Sequence, residues 1–278
     1  MTTVVATVLC WNNEAGVREV LRRLALQSRP PDSVVVLDNG STRPLVLEPE
    51  SIFAGVFLLS SGTNLGVGAG HNRLIRHALD EHDADLVWLL EHDTFPNSDC
   101  LESLMRVRRA TTTNSVIATE LVRNNYERDW LPGRSADGEP LDRVTLNGPL
   151  IPRTVIDLVG LLNESLFVGQ EDWEYSDRLR RASVAIVRAA SAVALHANKG
   201  DGRFDSYVSP ARLYYSARNL IAADRRNRAK RAARVGAAAF KELVTPGRGA
   251  AYAAARVNAC SDGLRGRLGP RSYRFMER

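Results

Sequence analysis

Five consecutive apolar residues, Leu86-Val-Trp-Leu-Leu90, run directly into the acidic sequence Glu91-His92-Asp93. An uninterrupted apolar run of this length is typical of a strand that is buried on both faces. Such strands belong to α/β sheets, which bind ligands at the carboxyl ends of their strands. Alternation in extended backbone would turn Glu91 and Asp93 to one side and His92 to the other. Because paired carboxylates repel each other unless a cation lies between them, the pattern predicts a divalent metal that also holds phosphate oxygens; an ordinary solvated loop is the alternative.

Length and cysteine usage restrict the class of protein. The 278 residues accommodate one large α/β domain, or one domain with an appendage. Cys10, Cys100 and Cys260 lie far apart, which favours a reducing compartment over a disulfide framework. The N-terminal residues lack the basic region of a signal peptide, and no apolar stretch approaches the roughly 20 residues of a membrane span. A cytoplasmic protein is therefore expected.

The net charge of +5 conceals an asymmetry along the chain. Residues 221–278 contain fourteen Lys and Arg against four Asp and Glu, so the preceding part is acidic overall. A basic segment of this kind favours an anionic partner, either a membrane surface or a nucleic acid. No aromatic residues interleave with the basic run at 224–234, which disfavours nucleic acid. Peripheral attachment to the inner face of a membrane is the functional interpretation, and a solvated helix face is the alternative.

Alternating strand and helix patterns predict a mostly parallel sheet. Buried-strand runs at 4–10 and 33–37 flank a segment with helical apolar spacing, capped by Asn12 or Asn13, and together they form a βαβ unit. Residues 123–145 are polar and irregular, which indicates a long active-site loop or an insertion. Further strands are predicted near 56–59, 116–118, 184–187 and 192–195, and further helices near 74–79, 99–109, 171–181, 207–239 and 248–257.

Four polar clusters follow the predicted strands or open a helix. An acidic residue after the second strand suits a base or ribose hydroxyl, and glycines after the third strand allow close backbone approach to a ligand. Carboxylates in a first helical turn are favoured by the helix dipole in any protein. Each cluster alone has an ordinary structural explanation, but their occurrence together favours a functional site. The clusters are Asp38-Asn39, Gly66/Gly68/Gly70, Glu91/Asp93 and Glu171-Asp172.

These residues resemble the motifs of family 2 glycosyltransferases of the GT-A fold. Glu91-His92-Asp93 stands where that family has its metal-binding Asp-X-Asp motif. The resemblance implies a Rossmann-like, mostly parallel sheet flanked by helices over residues 1–220, followed by a basic, mainly helical extension over 221–278. Tyr214-Tyr215 and Arg218-Asn219 bring the chain nearest to rhamnosyl- and galactofuranosyl-type transferases of bacterial surface glycans. The similarity is carried by residues 8–12, Gln27, 36–42, 64–68, Asn72, 88–94, 170–174, Arg178 and Arg180.

The resemblance also implies a role for each candidate residue. Asp172 would be the general base that deprotonates the acceptor hydroxyl. Asp93 would hold Mn²⁺ or Mg²⁺ at the diphosphate, with His196 as a further ligand, and this donor set leans towards Mn²⁺. Trp173 would stack on a sugar or belong to the core. The residues implied to contact the sugar nucleotide are Asp38, Asn39, Asn64, Gly66, Asn72, Glu91, Glu171 and Trp173.

The implied reaction is inverting, metal-dependent transfer of a sugar to a hydroxyl of a glycan, lipid-linked or small-molecule acceptor. The donor would be dTDP-rhamnose or a UDP-sugar such as UDP-galactofuranose, and a single base without a second nucleophile predicts inversion. Two residues depart from the family pattern: Glu91 replaces Asp, and Arg43 replaces the Asp after Ser-Thr.

Two other functions and a possible homodimer stay open at this point. A nucleotidyltransferase that makes sugar nucleotides would need a Gly-rich phosphate loop after the first strand, where this chain has Trp11-Asn12-Asn13-Glu14. A non-catalytic, membrane-associated scaffold that binds sugar nucleotides is best supported by the replacement of the usual Asp by Glu91. Retention of Asp93, Asp172 and His196 together argues against the scaffold.

Overall fold

A computed structural model describes residues 2–47, 55–111, 114–123, 136–197, 209–224 and 227–276. The strands are β1 (Val4–Cys10), β2 (Ser33–Asp38), β3 (Val56–Ser60), β4 (Leu86–Glu91), β5 (Thr94–Pro96), β6 (Ser115–Arg123), β7 (Leu150–Pro152) and β8 (Ala185–His196). The α-helices are α1 (Glu14–Ala25), α2 (Val67–Glu81), α3 (Cys100–Ala110), α4 (Arg153–Val159), α5 (Glu171–Arg181), α6 (Pro210–Ala223), α7 (Arg228–Val244) and α8 (Ala250–Arg265).

One mixed sheet organises the first two thirds of the chain. Its strand order is β3-β2-β1-β4-β7-β6-β8-β5. The first four strands of this order are parallel, and β6 is parallel to β8, whereas β7 and β5 run antiparallel to their neighbours. Only two residues separate β4 from β5, although three strands lie between them in the sheet, so this half of the sheet is strongly curled. The predicted mostly parallel α/β sheet is confirmed.

Strand β4 lies at the centre of this sheet, with an apolar layer on each face. Trp88 and Leu90 enter the layer formed with α1 and α3, whereas Val87 and Leu89 enter the layer formed with α2, α4 and α5. The indole nitrogen of Trp88 donates a hydrogen bond to the carbonyl of Gly148 (2.9 Å). Burial on both faces explains why this strand has no polar alternation.

Two local predictions are changed or refined. The strands predicted at 184–187 and 192–195 form one strand, β8, whose register against β6 shifts once, between Thr119 and Glu120. A bulge there accommodates additional residues on β8, and this irregular stretch looks like a strand break in the sequence. Asn13 rather than Asn12 caps α1, because its side chain accepts the backbone N–H of Gly16. Most of the predicted loop at 123–145 lies outside the described residues.

Helices α6, α7 and α8 pack together around a third apolar cluster that includes Tyr214, Ile221 and Ala259. The predicted helical C-terminal part is confirmed. The predicted boundary at residue 220 falls inside α6 and stays a prediction, since α6 also contacts the segment that leads into α5. In the described ranges, no helix combines the length and the apolar character needed to cross a membrane.

Candidate active site

The carboxyl ends of β1 and β2 border a cavity of about 560 Å³. Asp38 ends β2 and is buried, and its carboxylate accepts the backbone N–H groups of Ser41 and Leu45 (both 2.9 Å). Burial acts to raise the pKa of Asp38, but the hydrogen bonds from Ser41 and Leu45 outweigh it and lower the pKa. Asp38 therefore stays ionised and shapes the loop beside the cavity. The lining residues are Cys10, Asn12, Asn13, Glu14, Ser41, Thr42, Arg43, Pro44 and Leu45.

Three of the predicted nucleotide contacts build the loop after β3. Asn39 is buried, donates to the carbonyl of Gly66 (3.1 Å) and accepts the backbone N–H of Leu65 (3.1 Å). Asn64 accepts the N–H of Gly66 (2.8 Å). Gly66 has a φ of +87°, and a Cβ there would lie 2.3 Å from the carbonyl oxygen of Phe167, so glycine is required. This glycine admits a neighbouring protein segment, and the contacts of these three residues with a nucleotide stay predictions.

Asn72 of α2 is also buried and fully engaged by protein groups. Its amide nitrogen donates to the carbonyl of Leu162 and to Glu164 (both 2.9 Å), and its amide oxygen accepts the N–H of Leu162 (2.9 Å). These bonds tie α2 to the segment that precedes α5. The structure thus shows a positioning role for Asn72, whereas its contact with a sugar nucleotide stays a prediction.

Glu91 and Asp93 are not placed by strand alternation, and the carboxylate pair expected from it stays a prediction. Strand β4 ends at Glu91 and the next two residues form a turn, so the alternation does not reach Asp93. The Oε1 atom of Glu91 lies 3.6 Å from Nε2 of His71, which is completely buried. Burial acts to raise the pKa of Glu91, but His71 and then the charges of His92 and His196 hold it well below the usual range. Glu91 is therefore an ionised group whose neighbour is a histidine of α2.

Asp93 and His196 are brought together by strand pairing. Strand β5 pairs with β8 so that Thr94 lies opposite His196, and the N–H of Ala197 donates to the carbonyl of Asp93 (2.9 Å). The Oδ2 atom of Asp93 lies 3.5 Å from Nε2 of His196. Oδ1 of Asp93 and Nδ1 of His196 are buried without a hydrogen-bond partner among the described residues. The two residues predicted as metal ligands thus converge, and metal binding itself stays a prediction.

Glu171 and Asp172 are the first two residues of α5, and the pKa of each carboxyl group is raised. Burial raises the pKa of Asp172, while the N–H of Trp173, which donates to Oδ1 (2.8 Å), and the charge of Arg143 act to lower it. Burial, together with the charges of Asp172 and Glu91, raises the pKa of Glu171 to about 8. Glu171 therefore carries its proton at neutral pH.

His71, Arg143 and Arg212 complete this region and were not predicted as site residues. Arg143 stacks on Trp173, with the guanidinium carbon 3.1 Å from the ring centroid, and Arg212 of α6 acts on Glu171 through its charge. His71 had a detectable signal, because it is a polar residue on the apolar face of α2. Arg143 and Arg212 lie in or next to segments without periodicity, where no pattern marks a functional residue.

A curled, mostly parallel sheet with carboxylates at its carboxyl edge and helices after it is consistent with a GT-A fold. The model of the family described as "Glycosyl transferase family 2" matches residues 6–159, more than half of the chain. The chain therefore belongs to glycosyltransferase family 2.

A curated relative is the low-salt glycan biosynthesis hexosyltransferase Agl10 of Haloferax volcanii. It is 26% identical over 190 residues, which cover 62% of this chain and 61% of Agl10. The chain thus spans about three fifths of the length of that relative. The match is consistent with a glycosyltransferase enzyme.

Solved structures share the fold. Residues 1–349 of S. aureus TarS in complex with UDP-GlcNAc give a TM-score of 0.64 at 16% identity, with 95% of this chain and 81% of that chain covered. A longer TarS chain, of which 44% is covered, gives a TM-score of 0.58 at 17% identity over 87% of this chain. The mannosyltransferase PcManGT of Pyrobaculum calidifontis, in complex with GDP-Man and Mn²⁺, gives 0.57 at 16% identity, with 95% and 74% covered. These similarities confirm the GT-A fold.

Proposed function

We propose that this protein is an inverting, metal-dependent glycosyltransferase that moves a sugar from a nucleotide-diphosphate donor to an acceptor hydroxyl. The observation that carries the proposal is the convergence of Asp93 and His196 at the sheet edge that also presents Glu91, Glu171 and Asp172. The donor is dTDP-rhamnose or a UDP-sugar such as UDP-galactofuranose, and the acceptor is a glycan or a lipid-linked sugar. The UDP-GlcNAc and GDP-Man complexes of two proteins of the same fold support a sugar nucleotide as donor.

Asp93 and His196 fit a divalent ion. Each has a buried polar atom without a described partner, and a carboxylate with an imidazole is a donor set that suits Mn²⁺ better than Mg²⁺. The Mn²⁺ complex of PcManGT supports this choice. The described residues contain no cluster of three or more candidate ligands, so diphosphate oxygens and water would fill the other positions. When bound, the ion neutralises the charge of the departing nucleoside diphosphate.

Asp172 is the proposed base. The N–H of Trp173 orients its carboxylate, and burial together with the negative charge of Glu91 raises its pKa. Glu171, protonated at neutral pH, does not compete with Asp172 for the hydroxyl proton. A single carboxylate that takes this proton, without a covalent intermediate, inverts the anomeric centre.

The cavity at the ends of β1 and β2 is the proposed nucleoside site. Its volume of about 560 Å³ lies in the range of small-molecule pockets. Asp38 would act there through the loop that its carboxylate organises, with the hydroxyl of Ser41 and the side chain of Asn12 at the surface of the cavity.

Calorimetry with UDP and dTDP, with and without Mn²⁺, tests the proposal. We expect Mn²⁺ to strengthen nucleotide binding, and Asp93→Asn and His196→Ala to remove most of that gain. Asp83→Asn is the matched control, because the Asp83 side chain is 99% exposed and its described ion pair is with Arg153 rather than with a site residue. Nucleotide binding that is the same with and without metal, or an Asp93→Asn variant that behaves like Asp83→Asn, would contradict the proposed metal site.

The exposed face of α7 favours a location on an anionic membrane surface. Phe240 is 74% exposed, and Leu243 and Val244 on the same side of the helix are also exposed. Lys241, the residue after Phe240, is also exposed, so a basic group borders this apolar surface. We propose that α7 lies on anionic lipid, where a lipid-linked acceptor would be found. A homodimer stays a prediction.

Membership of glycosyltransferase family 2 favours transfer of a sugar over transfer of a nucleotidyl group. A non-catalytic scaffold would bind the nucleotide but would not turn over a sugar nucleotide, which separates it from the proposed enzyme.

A further inference from the structure

The guanidinium of Arg143 stacks on an aromatic ring. Its guanidinium carbon lies 3.1 Å from the centroid of the Trp173 ring, and both side chains are exposed. Among the described residues, the guanidinium makes no hydrogen bond and no ion pair. Stacking occupies the face of a guanidinium and leaves its in-plane N–H donors available for an anion.

This pair lies beside the proposed base. Trp173 follows Asp172 directly, and its backbone N–H binds Oδ1 of Asp172 (2.8 Å). The positive charge of Arg143 lowers the pKa of Asp172, so the guanidinium is within electrostatic reach of that carboxyl. The stacked pair is therefore a neighbour of the carboxylate that an acceptor hydroxyl has to reach.

A second cavity, of about 580 Å³, borders Arg143 and is lined by Leu141, Asp142, Arg143 and Arg180. The charge of Arg180 is already compensated, because its guanidinium pairs with Asp177. Arg143 is therefore the cation in this lining that makes no described ion pair, while the carboxylate of Asp142, in the same lining, repels anions from part of the cavity.

We propose that Arg143 and Trp173 form an acceptor subsite for a sugar or polyol unit that carries an anionic group, either a carboxylate or a phosphate. This proposal rests on the proposed glycosyltransferase function and specifies the chemical class of its acceptor. The indole supplies an apolar surface for the C–H groups of the unit, and the guanidinium fork supplies paired hydrogen bonds to its anionic group. Stacking holds the fork in place before binding, so less side-chain freedom is lost on binding.

The donor diphosphate does not explain this cation. Its proposed position is at Asp93 and His196, whose described contacts are with each other and across the β5–β8 pairing and include neither Arg143 nor Trp173. An experiment on the acceptor subsite therefore has to be carried out with the donor site already filled.

The test uses the full chain labelled with 5-fluorotryptophan, saturated with UDP and Mg²⁺, and observed by fluorine NMR. The chain has four Trp residues, and Trp173→Phe assigns the Trp173 resonance. The probes are methyl β-glucuronoside against methyl β-glucoside, and glycerol 3-phosphate against glycerol. We expect the anionic member of at least one pair to shift the Trp173 resonance and its neutral counterpart to bind more weakly. The pair with the larger difference identifies carboxylate or phosphate as the recognised group.

Arg143→Gln should weaken binding of the anionic probe about tenfold, the usual effect of losing hydrogen bonds to a charged group. Arg143→Lys keeps the charge without the planar fork and should fall between Arg143→Gln and the wild type. The control is Arg109→Gln, which removes an exposed Arg from the last turn of α3, at the sheet edge opposite the carboxyl ends of the strands.

Equal binding of anionic and neutral probes, or unchanged binding of the anionic probe by Arg143→Gln, would overturn the subsite. Retained UDP binding in the same samples shows that the fold and donor site are intact, so that result refutes the subsite alone. Absence of UDP binding by the wild-type protein would instead contradict the proposed function.

Discussion

Glu171 and Asp172 are adjacent carboxylates with different surroundings. Glu171 is buried and its Oε2 atom has no hydrogen-bond partner among the described residues, whereas Asp172 accepts the N–H of Trp173. Burial favours the protonated acid and dominates at Glu171, whereas a backbone donor favours the anion. The sequence Glu-Asp at a helix start does not distinguish the two, because the difference arises from chain segments that are far away in sequence.

The acid limb of the pH–rate profile tests the environment of Asp172. A base must be deprotonated, so kcat/KM should fall as the pH drops through the pKa of Asp172 in the free enzyme, which burial places above the usual range for Asp. Because the charge of Arg143 lowers that pKa, Arg143→Gln should move the acid limb to higher pH. The measurement is the pH dependence of sugar-nucleotide hydrolysis. An acid limb that stays in place in Arg143→Gln would show that this charge does not act on the base.

Glu171 should make the protein less stable as the pH rises. Between its unfolded pKa of about 4.3 and its folded pKa of about 8, the folded state binds more protons than the unfolded state. The free energy of unfolding therefore decreases with pH across this window, by at most about 1.4 kcal/mol per pH unit. Glu171→Gln should remove this decrease, which urea unfolding at pH 5, 6.5 and 8 would detect. Parallel pH dependence in wild type, Glu171→Gln and the control Asp83→Asn would contradict the raised pKa.

At the scale of elements, α6 holds the segment that leads into α5. Phe167 (φ +64°) and Gln170 (φ +74°) adopt left-handed conformations that cost about 1–3 kcal/mol each in non-glycine residues. The amide nitrogen of buried Asn219 donates to the carbonyls of Leu166 and Gly169 (both 2.7 Å). These bonds offset the strain and fix where the first turn of α5, with Asp172, begins.

Asn219→Ala should disturb catalysis through this segment. It removes the donor of the Val168 and Gly169 carbonyls, whereas the carbonyl of Leu166 keeps Arg218 as a donor. We expect this loss to lower the free energy of unfolding by about 1–3 kcal/mol. Because the start of α5 is released, kcat for sugar-nucleotide hydrolysis should fall while the affinity for UDP changes little. Asn258→Ala is the matched control, since that side chain donates only to the carbonyl of Ala254 within α8. An Asn219→Ala protein with unchanged kcat would remove the positioning role.

The elements differ in how readily the sequence reveals them. The apolar run of β4 and the helical spacing of α1 predict their structures directly, because burial alone determines both patterns. Strand β8 looks like two strands, because its bulge interrupts the pattern without ending the pairing with β6. The convergence of Asp93 and His196 was predicted only through resemblance to a family, since it depends on how β5 pairs with β8. The pairing of Glu91 with His71 was not predicted, because it joins a strand end to a helix through tertiary packing alone.

At the scale of the whole molecule, the C-terminal helices carry both basic residues and exposed apolar side chains. We expect the protein to co-sediment with vesicles that contain phosphatidylserine and to dissociate at high salt, because each basic residue near the surface contributes about 1 kcal/mol. Phe240→Ser with Leu243→Ser should reduce this binding. Leu158→Ser, at an exposed position on α4, is the control. No binding to the anionic vesicles, or equal binding by the double variant and the wild type, would contradict membrane docking by α7.

The most direct measurement of the proposed activity is release of nucleoside diphosphate from a panel of sugar nucleotides, including dTDP-rhamnose and UDP-galactofuranose. With Mn²⁺, the wild-type protein should consume at least one donor, and metal chelation should abolish the reaction. Asp172→Asn should lower the rate of nucleoside diphosphate release by about 10²–10⁴-fold, because the proton acceptor is lost. The variant protein should still bind UDP. Near-normal turnover by Asp172→Asn, or turnover that is unaffected by chelation, would contradict a metal-dependent transferase with Asp172 as its base.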